Sequence, residues 1–383
     1  MTPFTFNTTP SLRMGAGLVR RLGDIVRPVC GNSILLVTDP GIVATGLVAQ
    51  VLVTLRKVGL TVVVFDQVQA DPPESIILKA AEMAQDVTGV VGFGGGSSLD
   101  VAKLAALLGA SNQPLAEAYG IGNAKGPRLP LILVPTTAGT GSEVTPISIV
   151  TTGESEKMGV VSSLILPDLA VLDPELTLGL PAHVTAATGI DAMVHAIEAY
   201  SSINPNNNPI SRALAVEALR LMSRVLQRAV HTPRDIEARS DMLLGSMLAG
   251  QAFANSPVAA VHALAYPIGG HYKVPHGLSN ALVLPHVLRY NAEVAPQAYA
   301  ELLPHVFPEV SASGVEDAAR KFVESITALS LACGLQQNLR EMGIQKAALS
   351  KLAKDAMNQT RLLVNNPRPL DEAAALQIYE AAW

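Results

Sequence analysis

The first candidate functional residues are a carboxylate and an imidazole, those of Asp191 and His195. They lie four apart in TGIDAMVHAIEAY, so on a helix they occupy one face, one turn apart. Their neighbours are aliphatic, and a carboxylate and an imidazole are costly in such surroundings unless another group compensates them. A divalent cation would do so, although an ordinary hydrogen-bonded Asp–His pair explains the same spacing.

A second group of histidines lies further along the chain. Four of the eight histidines fall within 25 residues: His262, His271, His276 and His286. Pro267 and the glycines after it predict a break in the helix that carries His262, so His262 and His276 should come from separate elements. Pro275 and Gly277 flank His276 and predict a turn that aims its imidazole.

One Asp and three His, without cysteine, form a ligand set that suits Fe(II), and nearly as well Zn(II), Mn(II) or Co(II). With an open coordination position, such a set indicates a catalytic metal. The set is Asp191, His195, His262 and His276. By default His271 and His286 are expected to be solvated or structural.

Two loops follow apolar strand-like segments, and their residues are suited to binding an anion. The first, Gly94-Gly95-Gly96-Ser97-Ser98, lets backbone N–H groups approach a phosphate at a helix N-terminus. The second runs from Thr136 to Ser142, and its hydroxyls can donate to phosphate or ribose oxygens. Neither is the usual GxGxxG fingerprint, and Asp39, the candidate ribose ligand, precedes the glycines instead of following them. Tight turns without a ligand are the alternative interpretation.

Strand-like and helix-like segments alternate as far as Pro181. The predicted strands are Ser33–Thr38, Thr61–Phe65, Gly89–Phe93, Pro130–Val134 and Leu169–Leu172, and the predicted helices are Thr45–Val58, Pro73–Ala84 and Leu99–Leu108. This alternation predicts a Rossmann-like parallel sheet covered by helices.

Beyond Pro181 the pattern is helical. The predicted helices are Ala182–Tyr200, Asn208–Val230, Pro233–Ala254, Gly314–Leu331, Lys346–Met357 and Asp371–Ala382. We therefore expect an α/β domain over residues 1–181 and an all-helical domain over 182–383, with ligands in a cleft between them.

The amino-acid composition argues against several classes of protein. The chain has 383 residues, 15% charged and 49% hydrophobic, which fits two domains with a large core. A net charge of −5 argues against broad nucleic-acid binding, and two cysteines, Cys30 and Cys333, are too few for a disulfide framework. Met242–Tyr272 lacks charged residues, but its prolines, glycines and histidines indicate a buried segment and not a membrane span. The N-terminus shows no secretion signal, so a cytoplasmic protein is expected.

From Phe4 to its C-terminus the chain resembles the iron-containing (group III) alcohol dehydrogenases, whose fold is dehydroquinate synthase-like. The motifs are GFGGGSSLDVAK at 92–103, VPTTAGTGSEVT at 134–145, TAATGIDAMVHAIEAY at 185–200 and VHALAYPIGGHYKVPHGLSNALVLPHVLRYN at 261–291.

The resemblance implies roles for individual residues. It assigns the metal to Asp191, His195, His262 and His276. It assigns NAD to Asp39, Gly94, Gly95, Gly96, Ser97, Ser98, Thr136, Thr137, Thr140 and Lys157, the last at the nicotinamide-side ribose. An acid at position 39 repels a 2′-phosphate, which favours NAD over NADP.

One position departs from the family pattern. Many members carry a histidine four residues after the ligand that matches His262, and here that position is Tyr266. The proton relay therefore falls to Tyr266 or His271, and the sequence leaves both open.

The implied reaction is reversible hydride transfer between NAD and a small alcohol or aldehyde, with Fe(II) as the metal and Zn(II) or another divalent ion as the alternative. A homodimer or larger homo-oligomer is expected, without nucleic-acid or membrane partners. Maleylacetate reductase and hydroxyacid–oxoacid transhydrogenase are rival activities of the superfamily. A non-catalytic metal- or nucleotide-binding module is a rival of a different class.

Overall fold

The computed structural model describes residues 3–111, 113–153 and 156–383, which form two compact units. One unit spans Asn7–Gly179. The other spans Leu180–Trp383 and includes the N-terminal segment that ends at Phe6.

The first unit is built on a parallel sheet. The strands of this unit are β1 Leu12–Met14, β2 Ser33–Val37, β3 Thr61–Phe65, β4 Gly89–Gly94, β5 Gly120–Ile121, β6 Leu131–Pro135, β7 Ile147–Thr152, β8 Glu156–Val161 and β9 Leu169–Leu172. Six of them form one sheet in the order β1-β9-β6-β4-β2-β3, with every neighbouring pair parallel. Strands β4, β6 and β9 are fully buried, which explains their continuous apolar sequences. The predicted strands and the Rossmann-like sheet are confirmed.

Three strands of this unit lie outside the main sheet, and the sequence analysis did not predict them. Strands β7 and β8 pair antiparallel and β5 joins β8, forming a second sheet. The edge strand β1, which pairs with β9, was also missed. These strands are short or carry polar and exposed positions, so they lack the continuous apolar run that marks a buried strand.

Helices cover the main sheet of the first unit. They are α1 Leu22–Cys30, α2 Pro40–Ala44, α3 Leu47–Lys57, α4 Glu74–Ala84, α5 Gly96–Ala110 and α6 Leu115–Ala118. The sheet separates two apolar clusters, one including Leu35, Val90 and Leu133 and the other including Leu36 and Val91. Alternate residues of the same strands thus supply both cores.

The second unit is helical. Its helices are α7 Ala182–Ser201, α8 Pro209–His231, α9 Ile236–Asn255, α10 Ala260–Tyr272, α11 His276–Ala292, α12 Pro296–Val306, α13 Val315–Ala332, α14 Leu349–Ala356, α15 Thr360–Leu363 and α16 Glu372–Ala382. Helix α7 packs against α8, α9 and α11, and nearly all of its second half is buried. Among the described residues, no helix has both the length and the apolar character of a membrane span.

The predicted helix break after His262 is wrong. Helix α10 continues through Pro267 and both glycines to Tyr272, where Lys273 ends it in a left-handed conformation. A proline removes one hydrogen bond from a helix, and packing on neighbouring helices can outweigh that loss. Helix α11 likewise contains Pro285. His262 and His276 nevertheless lie on separate helices, as predicted.

Candidate functional site

The structure brings together the four side chains that the sequence assigned to a metal. Asp191 and His195 lie on α7, His262 lies near the start of α10, and His276 is the first residue of α11. One ligand atom from each lies within 4.8 Å of the others. Atoms that share one ion at about 2.0–2.2 Å stand roughly 3–4 Å apart, so a small inward movement would suffice.

A glycine allows this convergence. A Cβ at Gly277 would lie 2.4 Å from the carbonyl oxygen of Ala187, so only glycine lets the start of α11 approach α7 this closely. That approach places His276 Nε2 3.7 Å from Asp191 Oδ1. The His276 side chain is 43% exposed, whereas Asp191, His195 and His262 are buried. The cluster is therefore accessible to solvent on the His276 side.

The electrostatics of the cluster fit a cation. Burial would raise the pKa of Asp191, but His276, His195 and His262 and a hydrogen bond from Asn280 together lower that pKa below its ordinary value. The carboxylate is thus ionised, and its buried charge requires positive charge nearby, carried either by protonated imidazoles or by a bound cation. A divalent cation supplies that charge and matches the carboxylate and imidazole donors, so these residues fit a metal.

Two polar residues missed by the sequence analysis surround the cluster. Asn280 Nδ2 lies 2.6 Å from Asp191 Oδ1 and 3.3 Å from Nε2 of both His262 and His276. Glu198 is buried and contacts His262 Nδ1 at 2.6 Å. Spacing could have indicated Glu198, because it lies three residues after His195 on the same face of α7.

The two candidate proton-relay residues lie in different surroundings. Tyr266 is one helical turn beyond His262, and its ring centre is 5.8 Å from that of His276. His271 Nε2 is 2.7 Å from Asp355 Oδ2, and its side chain is partly exposed. His271 follows His262 by nine residues, which corresponds to about 13 Å along α10 and to its opposite face. Tyr266 is therefore the better-placed candidate.

In the first unit, Asp39 and the glycine turn are in direct contact. Asp39 Oδ1 accepts from the backbone N–H of Ile42 and caps α2, while Oδ2 accepts from the Ser98 hydroxyl at 3.1 Å. A Cβ at Gly94 would lie 2.7 Å from Ser98 Oγ and 3.1 Å from Asp39 Oδ2. A side chain at position 94 would therefore occupy the space in which the Ser98 hydroxyl meets the Asp39 carboxylate.

The threonine loop lies against the same turn. Thr136 N–H donates to the Gly94 carbonyl at 3.0 Å, and a Cβ at Gly96 would lie 2.7 Å from Thr140 Cγ2. The Thr137 side chain also lies close to the turn, about 3.7 Å from the Cβ position of Gly95. The structure thus brings Asp39, the glycine turn and the threonine loop together.

Lys157 lies on the second sheet of the same unit. Its ammonium on β8 forms an ion pair with Asp71 at 2.6 Å and donates to Thr151 Oγ1 at 2.8 Å. These contacts hold a charged amine at a fixed position. Its predicted role at the nicotinamide-side ribose stays a prediction.

The fold and the site together define a two-part protein, with glycine and threonine loops at the strand ends of a parallel sheet and an Asp–His cluster among helices. Comparisons identify the class. The model of the family described as "Iron-containing alcohol dehydrogenase" matches residues 9–174, and that described as "Fe-containing alcohol dehydrogenase family, C-terminal" matches residues 185–383. The chain belongs to the iron-containing alcohol dehydrogenase family.

Individual relatives agree over the full length. The chain is 43% identical to long-chain-alcohol dehydrogenase 1 of Geobacillus thermodenitrificans, covering 98% of this chain and 95% of that protein. A crystal structure of 1,3-propanediol oxidoreductase superposes with a TM-score of 0.95 at 35% identity, covering 100% of both chains. Sulfoacetaldehyde reductase from Bifidobacterium kashiwanohense, solved in complex with NAD+, superposes with a TM-score of 0.88 at 28% identity, covering 100% of this chain and 99% of that one.

Proposed function

We propose that this protein interconverts an alcohol and its aldehyde or ketone with NAD, using one divalent metal held by Asp191, His195, His262 and His276. The observation that carries the proposal is the convergence of one buried carboxylate and three imidazoles within 4.8 Å. Fe(II) is the proposed ion, on the family and the ligand types, with Zn(II) as the alternative.

A metal ion held by Asp191, His195, His262 and His276 would supply Lewis acidity, which lowers the pKa of an alcohol hydroxyl. Among the chain's own residues, Asp191 supplies the negative charge that retains the ion. Exposed His276 marks the side from which substrate approaches. Tyr266, whose ring neighbours that of His276, accepts the proton of the alcohol hydroxyl on its phenol oxygen and releases its own phenol proton toward solvent. In the reverse direction it donates its proton to the carbonyl oxygen of the substrate.

For the nucleotide, we propose that Asp39 binds the adenosine ribose and that Gly94–Ser98 bind the pyrophosphate. Both Asp39 oxygens already accept one hydrogen bond within the protein, but each has a second acceptor site for a ribose hydroxyl. The charge of Asp39 disfavours a 2′-phosphate, so NAD is the proposed dinucleotide. Thr136, Thr137, Thr140 and Lys157 are proposed as further contacts.

The substrate class follows from the relatives. One similar protein is named for long-chain alcohols and one similar structure for 1,3-propanediol, so we propose an unhindered alcohol as the substrate. We also propose a cytoplasmic homodimer or larger homo-oligomer, on the family and the sequence alone. Light scattering coupled to size-exclusion chromatography tests the assembly.

The test combines metal analysis with activity. Protein purified anaerobically should contain about one Fe(II) or Zn(II) per chain, and His262→Ala should lose both metal and alcohol oxidation while retaining NAD binding. His286→Ala is the control for loss of a histidine from the helical unit, because His286 lies on α11 outside the cluster. Full turnover of His262→Ala after exhaustive chelation would refute the proposal. Turnover of a hydroxyacid with an oxoacid, without added NAD, would instead indicate a transhydrogenase.

A further inference from the structure

Glu198 is a buried carboxylate that contacts a proposed metal ligand without belonging to the cluster. It lies on α7 and is 3% exposed. One carboxylate oxygen accepts from the backbone N–H of Val261 at 2.6 Å, and the other lies 2.6 Å from His262 Nδ1. Both partners lie in the first turn of α10.

We infer that Glu198 is a positioning residue that fixes the ring and the tautomer of His262, so that His262 Nε2 is the atom that binds the metal. The inference rests on the proposed function. A carboxylate can only accept hydrogen bonds, so His262 Nδ1 must carry the proton that it donates to Glu198. In the neutral ring, Nε2 then keeps its lone pair.

The surroundings of His262 Nε2 agree with this assignment. Nε2 faces Asp191 Oδ1 at 4.0 Å and Asn280 Nδ2 at 3.3 Å, and so lies on the side where the four ligand atoms meet. Hydrogen bonds from a ligating histidine to a carboxylate are a recurring way to orient the ring and to raise its basicity. Glu198 is thereby the orienting group for His262.

Glu198 also positions the helix that carries His262. Ala259, which precedes α10, makes no side-chain capping bond, and Glu198 supplies an acceptor to the Val261 N–H in the first turn instead. Because Glu198 shares α7 with Asp191 and His195, this contact ties α10 to the helix that holds two other ligands. The spacing of three ligands therefore depends on one side chain.

The chemistry requires a carboxylate at this position. Two donors converge on Glu198, the Val261 N–H and the His262 Nδ1–H. Glutamine has the same shape but only one acceptor oxygen. In Glu198→Gln, the amide N–H₂ must face one of the two donors, or His262 must move its proton to Nε2 and lose the lone pair that binds metal.

The experiment compares Glu198→Gln with Tyr379→Phe. Tyr379 is buried, and its hydroxyl donates to the carbonyl of Leu264 at 2.6 Å. Leu264 lies on α10, the helix that carries His262. Tyr379→Phe therefore also removes a buried hydrogen bond to α10, but it changes no contact of a proposed ligand side chain. The Kd for Zn(II) is measured by competition with a chromophoric chelator. The visible spectrum of the Co(II)-loaded protein reports the coordination geometry.

We expect Glu198→Gln to weaken Zn(II) binding about 10- to 100-fold and to change the Co(II) spectrum. Tyr379→Phe should lower the thermal midpoint of unfolding but leave the Zn(II) affinity and the Co(II) spectrum unchanged. Equal Zn(II) affinity in Glu198→Gln and the unaltered protein would overturn the inference. If the unaltered protein binds neither ion, it is the proposed function that fails.

A second measurement on the unaltered protein covers the case in which Glu198→Gln does not fold. In metal-free protein labelled with ¹⁵N-histidine, His262 should show a slowly exchanging proton on Nδ1, assigned by its absence from His262→Ala. A neutral His262 ring with its proton on Nε2 and none on Nδ1 would refute the role of Glu198.

Discussion

Replacing Lys103 with methionine should destabilise the first unit and weaken NAD binding together. Lys103 lies on α5 and is fully buried. Its ammonium donates to Ser142 Oγ at 2.8 Å, to Thr145 Oγ1 at 3.1 Å and to the Ile147 carbonyl at 2.7 Å. Burial lowers the pKa of Lys103, and the nearby Asp100 and Glu143 carboxylates oppose that shift.

The expected magnitude follows from what methionine leaves behind. It preserves most of the side-chain volume, so a cavity contributes little. The Ile147 carbonyl loses its donor, and Asp100, 3.5 Å from the ammonium, loses its partner charge. Removing one member of a buried charged network costs about 3–5 kcal/mol. That is a large share of the roughly 5–15 kcal/mol by which proteins are stable.

NAD binding should respond because of the elements that Lys103 joins. Helix α5 starts at the proposed pyrophosphate turn, and Ser142 closes the threonine loop. Losing the ammonium frees these two elements from one another. Titration calorimetry with NAD should therefore show a higher Kd, while metal binding by the helical unit stays unchanged.

Urea unfolding followed by far-ultraviolet circular dichroism measures the stability change. Lys125→Met is the control, because the Lys125 side chain is 75% exposed and should contribute within about 0.5 kcal/mol. A loss below about 1 kcal/mol for Lys103→Met would refute the account, since that is the effect of a single ordinary hydrogen bond. An unchanged NAD Kd together with a large loss of stability would show that the contacts of Lys103 do not affect NAD binding.

Three further predictions concern charge and protons. Burial raises the pKa of Glu143 from 4.5 to about 7, so the folded state holds this proton more tightly than the unfolded state does. The free energy of unfolding should therefore fall as pH rises between those values, by at most ~3.4 kcal/mol. Thermal midpoints across that range should decline less in Glu143→Gln. Asp39→Asn keeps an oxygen to cap α2 but removes the charge, so the ratio of kcat/KM for NAD to that for NADP should fall about tenfold, and an unchanged ratio would remove Asp39 from the ribose contact. Tyr266→Phe should lower kcat by about 10²-fold without changing metal content, and more than His271→Ala does; the reverse order would assign the relay to His271.

The proposed metal ligands could be selected from the sequence because helical periodicity and residue chemistry act locally. Asp191 and His195 share one face at a spacing of four, which the sequence displays directly. His262 and His276 were chosen for their type and for lying on separate elements. Their convergence depends on the approach of α11 to α7 at Gly277, which no local pattern specifies.

The sequence was less informative where packing overrides local preference. Pro267 predicted a helix end, yet α10 continues past it, because buried helices are held mainly by their neighbours. The pairing of β7 with β8 was missed because polar residues interrupt the apolar residues of β7 and because most of β8 is exposed or only partly buried. The course of α10 depends on contacts with other helices, which a window of sequence does not contain, whereas β7 and β8 are close in sequence but lack a strand-like apolar pattern.

Glu198 shows why a residue that hydrogen-bonds to a proposed metal ligand is harder to predict than the proposed ligand itself. It lies in the same stripe of α7 as Asp191 and His195, at a spacing of three, yet a glutamate on a helix is ordinarily a solvated residue. What gives it a role is the first turn of α10, which brings two N–H donors to one buried carboxylate. A buried carboxylate that meets no cation directly is costly unless its oxygens accept good hydrogen bonds, and here one of the donors is itself a proposed ligand. The stability of α10 at this point and the orientation of His262 therefore both depend on the Glu198 carboxylate, so a substitution at Glu198 should change both.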